Sequence, residues 1–347
     1  MALLPSSFVR NLTGPCGLQS GQGVVVAVSG GPDSMALLYL LAHARLSLEL
    51  SLCAVWVDHG LRPDETPAEH DTVFAATRVL NVPFFAHTVD TKGLAAQEHL
   101  SVEHAARMLR YQVLREVCSR QQADCIAVAH TADDQSEEVL LRLLRGSGRK
   151  GVAGMRMRSN DIIRPLLDTE KSVILSWLDQ QGIDYCYDSS NEDLKFVRNR
   201  VRHRLLPFLE ANFDQHVSRS LRKTAAILAE DEDLLEQLAQ TAYHEVIVEQ
   251  KRQDRQIFRL EREPFCSLHP ALQRRVVEQL LWNLDSRAGF DHIMLVVEAA
   301  CNAKPHTELH LSRGLRAGIF RQYLEFSYPA GKVPWRGRLF KEKKGRG

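Results

Sequence analysis

A run of β-branched residues leads straight into a glycine-rich turn near the start of the chain, and this junction constrains the fold more than any other feature. Residues Val24–Val28 are all apolar, and Ser-Gly-Gly-Pro-Asp-Ser follows at Ser29–Ser34. An amphipathic stretch begins at Met35, so the pattern predicts a strand, a tight turn and a helix in immediate succession. Strands that lead into helices in this way build parallel sheets.

The first half of the chain repeats this alternation of short apolar runs and longer amphipathic segments. We therefore predict an α/β domain with a doubly wound parallel sheet, covered by helices on both faces. Ligands of such sheets bind beyond the carboxyl ends of the strands, so the residues after each strand are candidate site residues. The predicted strands are Val24–Val28, Leu50–Val57, Val82–Thr88 and Cys125–Ala129, and the predicted helices are Met35–Arg45, Glu65–Leu80, Ser101–Arg120 and Asp133–Arg145.

The pattern changes from Val217 onward. A long charged helical segment, Arg219–Gln240, precedes further helical stretches, and Glu308–Phe326 alternates apolar and polar residues around two glycines. This predicts a smaller, mainly helical C-terminal domain with a short antiparallel element. The 347 residues are thus divided into an α/β domain at 1–212, a helical domain at 213–330 and a basic tail at 331–347.

Basic residues are clustered, although the whole chain is almost neutral, with a formal net charge of +1. Seven basic residues and one acidic residue lie between Arg142 and Arg164, and a second cluster covers residues 198–204. A charged run is usually a solvated surface, but these two clusters and the basic tail together favour contact with RNA phosphates. The predicted RNA-binding residues are Arg145, Arg149, Lys150, Arg198, Arg200 and Arg202.

The seven cysteines are scattered and include no Cys-x-x-Cys pair. We predict reduced thiols in a reducing compartment. No apolar run approaches the length of a membrane span, so we predict a soluble protein of the cytoplasm that does not bind membranes.

The glycine-rich turn has the composition of an anion site. Gly30 and Gly31 allow backbone amides to approach phosphate oxygens at a helix N-terminus, and Ser29 and Ser34 add hydroxyl groups. A carboxylate at Asp33 would repel a phosphate unless a divalent cation lay between them, which predicts Mg²⁺ at this residue. The alternative is an ordinary turn in which Asp33 and Ser34 only cap the helix.

Polar residues also follow the second and fourth predicted strands. Asp58 and His59 could form no more than a turn, but they leave the sheet at the same edge as Ser29–Ser34. Asp134 suits the first turn of a helix, whereas helical projection places Glu137 on the inward stripe. An inward carboxylate needs either a structural arginine or a cationic substrate, and we favour the substrate.

Eight motifs together resemble the tRNA(Ile)-lysidine synthetase family, a branch of the PP-loop ATP pyrophosphatases. They occur in family order over most of residues 24–210, although Glu138 stands where the family usually has threonine. The motifs are Ser29–Ser34, Val57–Arg62, Glu103–Tyr111, Ala129–Glu137, Arg145–Gly148, Arg164–Leu167, Asp188–Asn191 and Arg198–Arg202.

The resemblance implies a PP-loop ATPase fold and a reaction in two steps. ATP with Mg²⁺ adenylates the carbon-2 oxygen of the wobble cytidine in an isoleucine tRNA with a CAU anticodon, and free L-lysine then displaces AMP. Asp134 and Glu137 would place and deprotonate lysine, with His130 as the other candidate base, and Arg107 would contact the phosphate or the adenylated base. The implied ATP-binding residues are Ser29, Gly30, Gly31, Pro32, Asp33, Ser34, Asp58 and His59.

Other functions remain open from the sequence. An ATP-dependent tRNA sulfur transferase would activate the same pyrimidine oxygen but needs nucleophilic or cluster-binding cysteines. A non-catalytic RNA-binding module would not need Asp33, and an amide-forming ligase would act without tRNA. A homodimer is also left open.

Overall fold

The computed structural model describes residues 3–187, 193–252, 255–286, 288–328, 332–335 and 338–341. The chain divides into two compact units, Met1–Ala229 and Glu230–Gly347. The predicted boundary after residue 212 and the separate tail stay predictions. The motif Asp188–Asn191 lies outside the described residues, as do residues 331, 336–337 and 342–347 of the predicted tail.

The first unit is built on a six-stranded sheet in the order β3-β2-β1-β4-β6-β5. All neighbouring strands are parallel except β5 and β6, which form an antiparallel pair at one edge. The strands are β1 Gly23–Ala27, β2 Ser51–Asp58, β3 Phe84–Thr88, β4 Cys125–Ala127, β5 Arg158–Ser159 and β6 Ile162–Ile163.

Helices connect these strands and follow them. They are α1 Leu3–Thr13, α2 Pro32–Leu48, α3 Thr66–Leu80, α4 Thr91–Glu98, α5 Val102–Arg120, α6 Ala132–Leu144, α7 Arg149–Val152, α8 Lys171–Gln181, α9 Val197–Arg200 and α10 Leu206–Asn212, with a π-helical turn at Val201–Leu205 before α10.

Both faces of the sheet are covered, because side chains alternate along each strand. Val24 and Val26 of β1 pack with Leu37 of α2 in one buried cluster. Val25, between them, packs with Leu114 of α5 in another. This arrangement confirms the predicted doubly wound α/β fold.

The second unit contains a five-stranded antiparallel sheet in the order β7-β8-β11-β10-β9. It is larger than the short antiparallel element predicted, because two strands near residue 250 also pair into it. Its apolar core joins the sheet to the helices. The elements from residue 217 on are α11 Val217–Val246, β7 Ile247–Arg252, β8 Arg255–Glu261, α12 Arg262–Ser267, α13 Pro270–Asn283, α14 Phe290–Asn302, β9 Thr307–His310, β10 Arg316–Ile319, β11 Tyr323–Ser327, β12 Lys332–Trp335 and β13 Arg338–Lys341.

Two cysteines of this unit correct a prediction. Cys266 of α12 and Cys301 of α14 form a disulfide, so the expectation that all seven thiols are reduced is wrong for this pair. The pairing has no local sequence signal, because folding brings together residues that are 35 positions apart. Within the described part of the chain, no helix has the length and apolar character needed to cross a membrane.

Candidate functional site

The candidate site lies where the strand order of the first sheet reverses. The chain runs from β1 outward through β2 and β3, and then returns to place β4 on the other side of β1. A crevice opens at such a point beyond the carboxyl ends of the strands. Ser29–Ser34, which we call the glycine turn, follows β1, and the segment before α6 follows β4.

Hydrogen bonds within the glycine turn fix its shape. The Ser34 hydroxyl donates to the Gly31 carbonyl over 2.9 Å and accepts from the Ser29 amide over 3.1 Å. The Ser29 hydroxyl lies 3.2 Å from the same Ser34 oxygen. Pro32 occupies the first turn of α2, where its missing N–H costs nothing. The two hydroxyls therefore shape the turn, and their predicted contact with phosphate stays a prediction.

Gly30 is required by both conformation and space. Its φ of +88° lies in the left-handed region, and a Cβ added there would stand 3.3 Å from the Glu69 Cβ. Arg62 donates to the Glu69 carboxylate over 3.0 Å, so this neighbour is held in place. The Cys186 amide donates to the Gly30 carbonyl over 2.9 Å.

Replacing Gly30 with alanine is therefore expected to cost more stability than the same change at Gly21. Gly21 has a φ of +82° but nothing within 4 Å of its would-be Cβ. Both variants incur the backbone strain of about 1–2 kcal/mol, and only Gly30→Ala adds an overpacking cost of about 1 kcal/mol or more. Chemical denaturation of the full chain measures the difference, and equal losses would contradict the contact with Glu69.

Asp33 provides the carboxylate of the glycine turn, and one of its two oxygens has no hydrogen-bond partner. Its Oδ2 lies 3.8 Å from the Lys171 ammonium, whereas its Oδ1 is buried without a hydrogen-bond partner. Burial raises the pKa of Asp33 to about 6, against the lowering effect of Lys171, and nearby Asp134 raises it further. A buried unpaired oxygen of this kind fits a cation ligand. Across the described residues, no three His, Cys, Asp or Glu side chains are grouped so that together they could hold a metal ion.

The segment after β4 forms the N-terminal cap of α6. Thr131 and Asp134 make a reciprocal capping box, in which the Thr131 amide donates to Asp134 Oδ2 over 2.9 Å. Asp133 accepts from the Lys171 amide over 2.8 Å. Burial raises the pKa of Asp134, but Arg198 and other partners hold it below its usual range, so this carboxylate is ionised.

Glu137 is enclosed by two arginines. Its side chain is only 1% exposed, and Arg198 Nε donates to its Oε2 over 2.8 Å while Arg202 donates to both of its oxygens. Arg198 and Arg202 also reach Asp134 Oδ1, over 3.0 and 3.3 Å. The sequence left open whether Glu137 pairs with a structural arginine or with a cationic substrate, and the structure shows two arginines. Contact between Glu137 and lysine stays a prediction.

His130 is electrically neutral in this site. Burial and the nearby guanidinium groups lower its pKa to about 3, although Asp134 acts in the opposite direction. Its Nδ1 lies 3.3 Å from Nε of Arg164 and accepts a hydrogen bond from it. A neutral imidazole that accepts at Nδ1 carries its proton on Nε2. The geometry therefore favours a hydrogen-bond donor over the general base considered from the sequence.

Asp58 and His59 have local partners at the end of β2. Asp58 Oδ1 accepts from the Gly60 amide over 2.7 Å, and His59 Nδ1 lies 3.3 Å from the Thr91 hydroxyl. Burial and Arg110 lower the pKa of His59. These contacts shape the turn, and contact of either residue with a nucleotide stays a prediction.

The predicted RNA-binding residues divide into two groups. Arg145, Arg149, Lys150 and Arg200 are exposed. Arg198 and Arg202 instead point their guanidinium groups toward the carboxylates of α6. Arg107 is exposed and stacks over Tyr111, with 5.0 Å from its Cζ to the ring centre.

Two residues of the crevice were missed by the sequence analysis as site residues. Lys171 begins α8 and has no motif around it, whereas Arg164 belongs to a quoted motif but received no role. Burial lowers the pKa of the Arg164 guanidinium, which is 7% exposed and donates to the Arg156 carbonyl over 2.9 Å. Arg164 directly follows β6, which is too short to be predicted, so its place at the start of the motif Arg164–Leu167 is the signal that could have identified it.

Comparisons with known proteins extend the resemblance. A tRNA(Ile)-lysidine synthase of Geobacter sulfurreducens is 34% identical over 312 residues, covering 89% of this chain and 65% of the relative. That of Bacillus subtilis is 33% identical over 304 residues, covering 85% and 63%. These identities confirm the resemblance noted in the motifs. The chain spans somewhat less than two thirds of the length of these relatives.

A solved structure shares the fold. The U34-tRNA thiolase NcsA from Methanococcus maripaludis, with its [4Fe-4S] cluster, superposes with a TM-score of 0.54 at 20% sequence identity, covering 65% of this chain and 78% of that one. At that identity the likeness concerns the fold alone. The family profile described as the PP-loop domain matches residues 5–209, which is more than half of the chain and includes the glycine turn and the α6 cap. The chain therefore belongs to the PP-loop domain family.

Proposed function

We propose that this chain ligates free L-lysine to carbon 2 of the wobble cytidine in an isoleucine tRNA with a CAU anticodon, through an adenylated cytidine. The observation that carries the proposal is the buried, unpartnered Oδ1 of Asp33 beside the glycine turn. The named relatives support the substrate assignment. On this proposal the chain is a ligase that modifies tRNA and forms a carbon–nitrogen bond.

The residues of the glycine turn would hold the phosphates of ATP. The amides at the start of α2 and the Lys171 ammonium provide positive charge, and Asp33 Oδ1 provides a ligand for Mg²⁺. When bound, Mg²⁺ would neutralise the charge that develops on the departing pyrophosphate. Asp58 and His59 would lie beside the nucleoside at the end of β2.

The cytidine oxygen forms a bond to the α-phosphorus of ATP as the bond to pyrophosphate breaks. In the second step the lysine nitrogen attacks carbon 2, the carbon–oxygen bond breaks and AMP departs. His130 Nε2–H is suited to donate a hydrogen bond to an oxygen that gains charge. Arg107 would contact the phosphate or the adenylated base.

The same crevice would favour the neutral amine of lysine. Its ordinary pKa of about 10.4 falls when guanidinium groups and burial surround it. Asp134 and Glu137 hold Arg198 and Arg202 in position through their ion pairs. The carboxylate lone pairs that the two arginines leave unused would orient lysine. The exposed Arg145, Arg149, Lys150 and Arg200 would contact tRNA phosphates. Location in the cytoplasm and assembly as a homodimer stay predictions.

Thiolation of the same pyrimidine is the competing function, and the cysteines argue against it. Burial raises the pKa of Cys16 and of Cys53 to about 11, and that of Cys125 to about 12. Sulfur transfer needs a thiolate or a set of cysteines that binds a cluster, and these three thiols stay protonated at neutral pH. Among the described residues, no three His, Cys, Asp or Glu side chains are grouped so that they could hold a metal ion.

Radiolabelled lysine is expected to enter an isoleucine tRNA transcript with a CAU anticodon when ATP is present. A matched transcript with guanosine at the wobble position should take up none, because its carbon 2 carries an amino group instead of an oxygen. Mass spectrometry of the modified nucleoside then identifies a lysine adduct. A sulfur adduct, or equal uptake by both transcripts, would contradict the proposal.

A further inference from the structure

The second and third turns of α5 place two arginines over one aromatic ring, and a third arginine follows β6. Arg107 and Arg110 lie over Tyr111, with 5.0 and 5.7 Å from Cζ to the ring centre. Arg164, directly after β6, donates from Nε to His130 Nδ1 over 3.3 Å, and the charge of Arg107 helps to lower its pKa. We call Arg107, Arg110 and Arg164 the arginine cluster.

The cluster has no counter-charge among the described residues. In the part of the chain that the structure describes, no ion pair joins any of the three guanidinium groups to a carboxylate within 4 Å, and Glu103, one helical turn before Arg107, is not paired with it. Arg115, which also contacts Tyr111 at 5.8 Å, differs because its Nε lies 2.7 Å from Asp161. The cluster is therefore a concentration of positive charge, whereas Arg115 is neutralised.

The cluster lies at the carboxyl edge of the sheet, where Arg164 Nε is 3.3 Å from Nδ1 of His130, after β4. Burial lowers the pKa of Arg110, and its neighbour Arg107 lowers it further. Arg110 contributes to the lowered pKa of His59 after β2, and both Arg110 and Arg164 contribute to that of His130 after β4. Partly buried like charges are costly unless a bound anion offsets them. The cluster is thus suited to an anion at the edge where the crevice opens.

We propose that Arg110 and Arg164, with Arg107, bind a phosphodiester of the RNA substrate, next to the nucleotide whose base enters the crevice. That the anion belongs to RNA rests on the proposed function. The planar fork of arginine matches phosphate oxygens, and a phosphate contact fixes the register of the strand. The phosphates of ATP would have a separate set of groups in the glycine turn and Lys171. Of the two contacts considered for Arg107, this inference therefore selects a phosphate, and that phosphate belongs to the RNA.

The test measures the affinity of the full chain for the tRNA transcript over a series of salt concentrations. Arg110→Gln is expected to weaken binding about tenfold and to reduce the slope of log affinity against log salt by about 0.7–0.9, the loss of one phosphate contact. Arg110→Lys should keep the slope because it keeps the charge. Arg115→Gln, beside the same ring, should leave RNA affinity unchanged, and ATP affinity should be unchanged in all three.

Arg107→Gln provides a second variant, because Arg107 is exposed and its replacement does not threaten folding. Unchanged RNA affinity and slope in both glutamine variants would overturn the inference. Weaker ATP binding with unchanged RNA binding would assign the phosphate to ATP and overturn it as well. If the variants lose RNA affinity but the unaltered chain adds no lysine to tRNA, the proposed function fails and the phosphate site stands.

Discussion

Asp33→Asn is expected to slow pyrophosphate release sharply while making the folded chain more stable at neutral pH. Asparagine keeps the size of the side chain but removes the negative charge that would hold Mg²⁺. Loss of that electrostatic contribution should slow pyrophosphate release by about 10³-fold or more. The two effects have opposite signs, so unfolding could not account for the loss of activity.

The stability gain follows from the raised pKa of Asp33, about 6 against an ordinary 3.8. Below both values the group is protonated in the folded and unfolded states and contributes nothing. Between them the unfolded state releases its proton first, so stability falls as pH rises, and above about pH 6 the full penalty is present. The variant should therefore gain about 1–3 kcal/mol at neutral pH and nothing below about pH 4.

Asp161→Asn is the matched control, because its carboxylate has the opposite pKa shift. A hydrogen bond from Arg115 lowers the pKa of Asp161, so its replacement should reduce stability above about pH 4 and leave pyrophosphate release intact. Denaturant unfolding at several pH values measures both variants. A loss of stability in Asp33→Asn at neutral pH would show that its carboxylate is satisfied and would contradict the cation site.

Glu137→Gln is expected to destabilise the first unit by about 3–5 kcal/mol and to stop lysine transfer. The change leaves Arg202 with Asp134 as its remaining ion-pair partner, and Arg198 with Asp134 and with Glu138 at 3.9 Å. Removing one partner of a buried charge cluster costs far more than the cluster contributes as a whole, because the remaining charges stay desolvated. Denaturant unfolding gives the cost, and lysine incorporation by the folded fraction gives the activity.

Glu138→Gln provides the comparison one residue away. Glu138 is 23% exposed and pairs with Arg142 over 2.6 Å, one helical turn further along α6, whereas it reaches Arg198 only over 3.9 Å. Half-exposed pairs of this kind contribute at most about 1 kcal/mol, so the variant should keep both its stability and its activity. Similar losses in the two variants would mean that the enclosure of Glu137 has no special role.

The larger elements of the first unit could be predicted because their signals are local. Short apolar runs mark β1, β2 and β4, and polar or acidic residues mark the starts of α5 and α6. The two-residue strands β5 and β6 are too short to show a period. Helix α8 lies between two of the motifs and was not predicted. Helical projection cannot place every side chain, since the apolar Val102 at the start of α5 is 45% exposed.

The motifs of the site could be predicted, but their partners could not. The glycine turn is a continuous sequence, and its strand and helix precede and follow it directly. Glu137 meets arginines that are 61 and 65 residues away, and Asp33 faces a lysine from α8. Such pairings depend on the order of strands in the sheet, which no local pattern encodes.

ATP radiolabelled at its α-phosphate tests the central claim most directly, when it is supplied with Mg²⁺ and the tRNA transcript while lysine is withheld. The label should become attached to the RNA as pyrophosphate is released, and lysine added afterwards should displace it as AMP. Label recovered as ADP, or RNA that stays unlabelled while lysine is incorporated, would contradict an adenylated cytidine formed at the glycine turn.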